Sequence, residues 1–289
     1  MSSLMPNRKP NFAVRLRNQT KRALLLPHDL KWYLGHQGRE SRRRLAALKD
    51  RHQGERCFII GNGPSLQRTD LTRLRDEVTF GMNRIYMLFN QIGFSTTYYV
   101  AINKLVIEQC AGEIIKIAAP KFISWWAHDG IDYTSDMMFV RDPYIGPLTF
   151  SADATRAVVE GYTVTYAAMQ IAYYLGFQQV ILVGVDHKFQ TKGTPNATIV
   201  STGPDPNHFD PNYFGKGFRW QLPDLEGSER SYRLAKKYFE QGGRQILDAT
   251  VDGQLQVFPK MGFDEIVSTP PRRPYPLTTR NKITPAKSA

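Results

Sequence analysis

The sequence predicts an α/β fold, a Rossmann-like open parallel sheet with helices on both faces, plus a long active-site loop and basic terminal extensions. Three observations predict it. The run Cys57-Phe-Ile-Ile-Gly-Asn-Gly-Pro-Ser-Leu66 is a short apolar strand that breaks at once into a Gly-rich turn, as the first strand of a nucleotide-binding α/β domain does. A helix over Thr165–Leu175, stopped by Gly176, leads into Gln179-Val-Ile-Leu-Val-Gly184, apolar on both faces as central parallel strands are. Between these two units, short β-type runs alternate with helical or turn segments, which is the rhythm of a parallel sheet.

The elements follow in order. Residues 1–27 are basic and irregular. Residues 28–53 read as helix, with Leu30, Trp32, Tyr33, Leu45 and Leu48 as packing residues. Strand one covers Arg56–Ile60, and Asp70–Leu74 is a short helix or turn. Val78–Asn83 is a second strand, delivering Asn83 and Arg84 at its carboxyl end, and Thr97–Ile102 is a third, ending at Asn103. A helix spans 105–116 and a fourth strand Lys121–Trp126. Residues 127–160 show no period. After the strand at 179–184, residues 188–227 are rich in Pro, Gly and Asn and lack a regular pattern, the mark of a functional loop or lid. A helix over Ser228–Gln241 and a strand over Gln245–Thr250 close the fold; the tail from Pro270 is Pro-rich, basic and expected to be disordered.

The net charge of +12 is localised. Residues 1–56 carry 14 Lys/Arg against 4 Asp/Glu, whereas residues 57–269 carry 19 against 22, and residues 270–289 hold five basic side chains and no acid. A slightly acidic body argues against nucleic acid as partner. The basic ends are expected either to contact anionic lipid peripherally or to serve as solvated arms. No run reaches the length of a membrane span, Ala23-Leu-Leu-Leu-Pro27 is too short for a secretory signal, and Cys57 and Cys110 form no disulfide framework. The expected location is cytoplasmic, with the inner membrane face as the peripheral variant.

The residues at strand carboxyl ends assemble a polar, mostly uncharged pocket: Gly61, Asn62, Gly63, Ser65, Asn83, Asn103, Thr165 and Asp186, covered by the 188–227 loop. The Gly turn admits a phosphate closely, with Asn62 and Ser65 as side-chain donors. Its spacing is neither the dinucleotide fingerprint nor the P-loop. Such a lining suits a hydroxyl-rich sugar or nucleoside. In the loop, two Asx-Pro turns bracket His208, the expected general base, and Tyr213 is placed to donate to a leaving phosphate. His187 is the competing base. Asp186 is expected to face the ligand rather than to cap a nearby backbone N–H. No metal ligand set is expected, since no His/Cys/Asp spacing supports one.

At Phe58–Leu66, Asp70-Leu71, Phe80-Gly-Met-Asn-Arg-Ile-Tyr86, Thr163-Val-Thr-Tyr-Ala-Ala168 and Val180–Asp186 the chain resembles the MptE-like Rossmann family, whose members include a 6-hydroxymethylpterin diphosphokinase. The likeness covers roughly residues 55–260. It extends to the family 42 sialyltransferases and to the Maf proteins that glycosylate flagellin. It implies a Rossmann-type catalytic domain at 55–265, preceded by a basic extension with a helix at 1–54 and followed by the tail at 266–289. From the sialyltransferase likeness come donor contacts at Asn62 and Asn83, a loop base at His208 and a phosphate contact at Thr165. The leading expectation is a transferase that moves a sugar from a nucleotide, CMP-linked by that likeness, to a glycan or lipid-linked acceptor in bacterial surface-glycan assembly. The alternatives are an MptE-like diphosphokinase, which needs Mg²⁺ with ATP, and a nucleotide-binding module without turnover. No cofactor is otherwise implied.

Overall fold

The computed structural model describes residues 25–143, 146–190 and 192–270. Seven parallel strands form its sheet: β1 (Arg56–Ile60), β2 (Thr79–Met82), β3 (Tyr98–Ala101), β4 (Lys121–Ser124), β5 (Met137–Val140), β6 (Gln179–Val183) and, after a separate hairpin, β9 (Gln245–Asp248). Their spatial order is β5-β4-β3-β2-β1-β6-β9. The chain therefore runs outward from β1 to β5, then returns to lay β6 on the other side of β1, with Ile60 level with Val183. That reversal opens a crevice beyond the carboxyl ends of β1 and β6, where open α/β sheets bind ligands.

Alternation along each strand splits the core between two faces. Phe58 and Ile60 pack on one side with helix α2 (Lys104–Ile114), through Val106, Ile107 and Ile114. Cys57 and Ile59 pack on the other with helix α3 (Val164–Tyr174) and helix α4 (Leu225–Gln241). Ala167, Ala168 and Ala172 of α3 are fully buried, and such small side chains let a helix lie close against the strands.

Several expectations shift. The expected N-terminal helix is two: a helical stretch over 25–34 and helix α1 (His36–Leu48). Trp32, Leu45 and Leu48 are buried as expected, but Leu30 and Tyr33 are exposed. Helix α1 is part of the sheet's packing rather than a loose extension. Ser41 accepts the Phe139 N–H of β5 at 2.9 Å, and Arg44 donates to the Met137 carbonyl at 3.1 Å. An otherwise bare sheet edge is thereby capped. Strand β5 itself lies inside the stretch without a period. The loop at 188–227 also contains a small antiparallel pair, β7 (Thr198–Val200) and β8 (Arg219–Gln221). A short helix α5 (Phe263–Ser268) carries regular structure past residue 265. The rest of the expected disordered tail, from residue 271, lies outside the described residues, as do residues 1–24.

Candidate active site

The Gly turn is fitted against the end of β6 with no room to spare. Gly61 donates its N–H to the Val183 carbonyl at 2.7 Å and Gly63 to the Gly184 carbonyl at 2.9 Å. A Cβ on Gly61 would stand 2.2 Å from the Gly184 oxygen, and one on Gly63 would stand 1.8 Å from Oδ2 of Asp186. Glycine is thus required by close approach of two chain segments. Beyond the turn, Pro64 starts a single 3₁₀ turn, Pro64–Arg68.

Asp186 borders the ligand space as expected, but both its carboxylate oxygens already accept hydrogen bonds. Its Oδ1 accepts the Ser65 N–H at 3.0 Å and its Oδ2 accepts the Ser65 hydroxyl at 2.7 Å. The carboxylate caps the first free amide of the 3₁₀ turn, the placement weighed against ligand contact in the sequence. Ser65 is correspondingly withdrawn: it is fully buried and does not line the cavity. Asp186 and Ser65 lock the turn from beneath.

The cavity over these strand ends measures about 430 Å³. Of the expected residues, Gly61, Asn62, Gly63, Asn83, Asn103, Thr165, Asp186, His208 and Tyr213 all line it. The carboxamide oxygens of Asn62 and Asn83 are buried there without a hydrogen-bond partner. A buried polar atom left unpaired costs about 1–3 kcal/mol, so both amides are poised for a ligand that completes them. Asn83 has φ +50°, a left-handed conformation that Asn tolerates better than most residues. Its N–H bonds the Val100 carbonyl at 3.1 Å and its carbonyl accepts the Tyr99 hydroxyl at 2.6 Å, which fixes the residue. Asn103 instead spends Oδ1 capping α2, on the Leu105 N–H at 3.0 Å.

The start of α3 forms a second wall. Thr163 is its N-cap, accepting the Thr165 N–H at 3.3 Å. Thr165 is nearly buried, beside the Tyr232 hydroxyl of α4. Burial raises the Tyr232 phenol, and its hydrogen bonds to Thr163 and Thr165 act in the opposite sense.

His208 is held more firmly than the Asx-Pro turns alone imply. Its Nδ1 lies 2.7 Å from Oδ2 of Asp205. The same carboxylate accepts the Asn207 N–H at 2.8 Å and the Phe214 N–H at 3.0 Å. Burial pushes the Asp205 carboxyl up, but the His208 ring and these N–H groups outweigh it and hold it below its ordinary value. An ionised carboxylate only accepts, so Nδ1 carries a proton and Nε2 is left as the basic nitrogen. The imidazole stacks on the Tyr213 ring at 4.0 Å and 11°.

Tyr213 is fully buried, and its hydroxyl accepts the Arg84 N–H at 3.3 Å. Burial pushes its phenol up. In this structure Tyr213 is the platform under His208. The loop is docked from both sides. Phe209 donates its N–H to the Asn62 carbonyl at 3.0 Å, and the Arg84 guanidinium donates to the carbonyls of Asn212, at 2.8 Å, and Tyr213. Arg84 therefore anchors the loop instead of meeting substrate. His187, the competing base, lies 3.2 Å from Glu229 through Nε2.

Two residues went unassigned in the sequence. Asp205 was legible only as an Asp-x-x-His spacing. Glu160, half-buried two residues before Tyr162 on the α3 wall, had no signal at all. Burial, with the Asp142 carboxylate nearby, pushes its carboxyl up to about 7. Because the folded value lies above the unfolded one, the folded state binds the extra proton and loses stability as pH rises from the ordinary Glu range through 7. Glu160→Gln is expected to leave the melting temperature unchanged at pH 4.5 or below and to raise it relative to wild type above pH 7. Melting curves across that range check it; an offset independent of pH would remove Glu160 as its source.

Among the described residues that line the cavity, Lys188 is the one Lys or Arg. Among the described residues no group of three or more His, Cys, Asp or Glu is arranged to hold a metal ion, and no helix is long and apolar enough to cross a membrane.

No curated protein matches the chain. Among solved structures, it is similar to a Maf glycosyltransferase from Magnetospirillum magneticum AMB-1, with 14% identity and a TM-score of 0.47, over 79% of this chain and 39% of that one. The chain thus spans about two-fifths of that protein's length. The family described as 6-hydroxymethylpterin diphosphokinase MptE-like matches residues 37–192, from α1 through the Gly turn to β6 and the first residues of the long loop, and ends before His208. With more than half of its length in that match, the chain belongs to the MptE-like family.

Proposed function

We propose that this protein is a glycosyltransferase that takes a sugar from a nucleoside monophosphate donor, CMP-linked by the sialyltransferase likeness. The observation that carries the proposal is the Asp205–His208 pair set over the same cavity as the two unpaired amides of Asn62 and Asn83. In this reading the nucleoside completes the Asn62 and Asn83 amides. The phosphate lies at the start of α3, by Thr163 and Thr165, where the helix dipole favours an anion. His208 Nε2 takes the proton of an acceptor hydroxyl as that oxygen bonds the anomeric carbon and the sugar–phosphate bond breaks. Asp205 holds Nδ1–H and stabilises the imidazolium so formed.

Two features favour this over the diphosphokinase reading. A single lining cation among the described residues suits one phosphate better than a triphosphate. Asp186, the strand-end carboxylate on which a Mg²⁺-dependent reaction would draw, already accepts two hydrogen bonds from Ser65. Mg²⁺ needs only one or two carboxylates besides phosphate oxygens, and Glu160 and Asp224 are the other candidates in the cavity.

A thermal-shift titration of CMP, CDP, UDP and ATP, each with and without Mg²⁺, tests the choice. A ligand bound only by the folded state raises the melting temperature with its concentration. The expected result is stabilisation by CMP without metal. Stabilisation by ATP with Mg²⁺ alone would replace the proposal with pyrophosphate transfer.

A further inference from the structure

The helical stretch over 25–34 has an apolar face that the other described residues leave largely exposed. Leu26, Leu30, Tyr33 and Leu34 are 56%, 47%, 45% and 67% exposed. On a helix of 3.6 residues per turn they fall within an arc of about 100°. The opposite face is firmly docked. Trp32 is fully buried against Trp125, with ring centroids 5.3 Å apart, and His28 stacks on Trp126 at 3.9 Å. The outward apolar face is therefore a feature of a fixed helix, and solvated single leucines do not form such a stripe by chance spacing.

Charge identifies what fits it. The chain enters this helix from residues 1–24, which hold six Lys/Arg and no acid, including Lys21 and Arg22 at its doorstep. The guanidinium groups of Arg42 and Arg141 flank the Tyr33 ring at 5.4 and 5.7 Å. Asp29 pairs with Arg141 at 2.8 Å and Asp129 with Lys31 at 3.5 Å, so the cationic excess comes from Arg42 and from the six Lys/Arg of residues 1–24. A second copy of the chain would bring the same cations to the contact and be repelled. An apolar stripe rimmed by cations fits an anionic lipid surface, where apolar side chains enter the headgroup boundary and Lys/Arg meet the lipid charge.

We propose that Leu26, Leu30, Tyr33 and Leu34 seat this protein on an anionic bilayer, with the basic residues on either side supplying the attraction. The placement bears on catalysis. The helix is anchored through Trp125, Trp126 and Arg141, which follow the carboxyl ends of β4 and β5. The cavity opens over the carboxyl ends of β1, β2 and β6, so both lie along one edge of the sheet. On the glycosyl-transfer reading, a lipid-linked acceptor then reaches His208 from the membrane; the docking itself stands apart from that reading.

Flotation of the full chain with phosphatidylcholine vesicles, with and without phosphatidylglycerol, tests it. Binding is expected only where phosphatidylglycerol is present, and to weaken as salt rises. The charge-neutral double substitution Leu30→Gln with Leu34→Gln is expected to weaken binding by about tenfold or more, with the melting temperature unchanged because both side chains are exposed. Lack of binding by wild type overturns the proposal. Binding that the double substitution leaves intact assigns it to the basic arms alone and overturns the stripe's role. Self-association in sedimentation that the substitutions abolish, without vesicle binding, gives the face to a second copy instead.

Discussion

His208→Ala is expected to lower sugar transfer by about 10²–10⁴-fold, the range a positioned general base supplies, while nucleotide-induced stabilisation survives. The separation follows from the geometry. His208 hangs from Asp205 and rests on Tyr213, whereas the proposed nucleotide contacts, Asn62 and Asn83, follow the ends of β1 and β2, and Asn62 meets the loop through its backbone carbonyl at Phe209 rather than through His208. Asp205→Asn is expected to give a smaller loss, because the ring keeps its seat on Tyr213 but loses the carboxylate that holds Nδ1–H and steadies the imidazolium. Product formation with the nucleotide identified by thermal shift checks both. Undiminished turnover by the alanine variant would assign the proton to another group, and His187 is the next histidine on the cavity wall. Loss of nucleotide binding together with turnover would mean that the loop as a whole had collapsed.

The largest stability effect is expected at the Gly turn. In Gly61→Ala the new methyl meets the Gly184 carbonyl oxygen at 2.2 Å and its carbon at 2.7 Å. Both are backbone atoms of the neighbouring strand's end, so relief requires β1 and β6 to part where Gly61 bonds Val183. Overpacking of this kind costs about 1–3 kcal/mol when side chains yield, and more when backbone must. A loss of more than about 3 kcal/mol in denaturant unfolding is expected, with a melting temperature lower by roughly 5–10 °C. Gly112→Ala is the control. Nothing lies within 4 Å of its added Cβ, and it sits in helix α2. There alanine should gain about 0.5–1 kcal/mol. Equal stability of wild type and Gly61→Ala would show that the turn can open and would weaken its reading as a fixed phosphate-approach surface.

The central strands were legible because β1, β2, β3 and β6 are buried on both faces and read as apolar runs ending in turn residues. Strand β5 was not. Four apolar residues, Met137–Val140, carry no period of their own; parallel pairing with β4, with α1 packed beside them and Ser41 bonding Phe139, makes them a strand. The pair β7 and β8 escaped for the same reason, since three residues each hold too little pattern to stand above a Pro- and Gly-rich surround. At the helix over 28–53, periodicity named Leu30 and Tyr33 as packing residues. Which helix face meets the sheet is decided by Trp125 and Trp126, nearly a hundred residues on.

The site divides along the same line. The sequence by itself determined the Gly turn, the amides of Asn62 and Asn83 and the strand end at Asp186, because each is fixed by local chain chemistry at a strand's carboxyl end. Only the tertiary structure decided what those groups do. It engaged both Asp186 oxygens with Ser65, 121 residues distant in the chain, and paired His208 with Asp205. It gave Tyr213 and Arg84 to the support of the loop, and set Glu160 beside Asp142 with its carboxyl raised to about 7. A strand or a turn is specified by neighbours a few residues away. The partner of a carboxylate or an imidazole is whichever group the folded chain brings within about 3 Å, and that distance exists only after the sheet has closed.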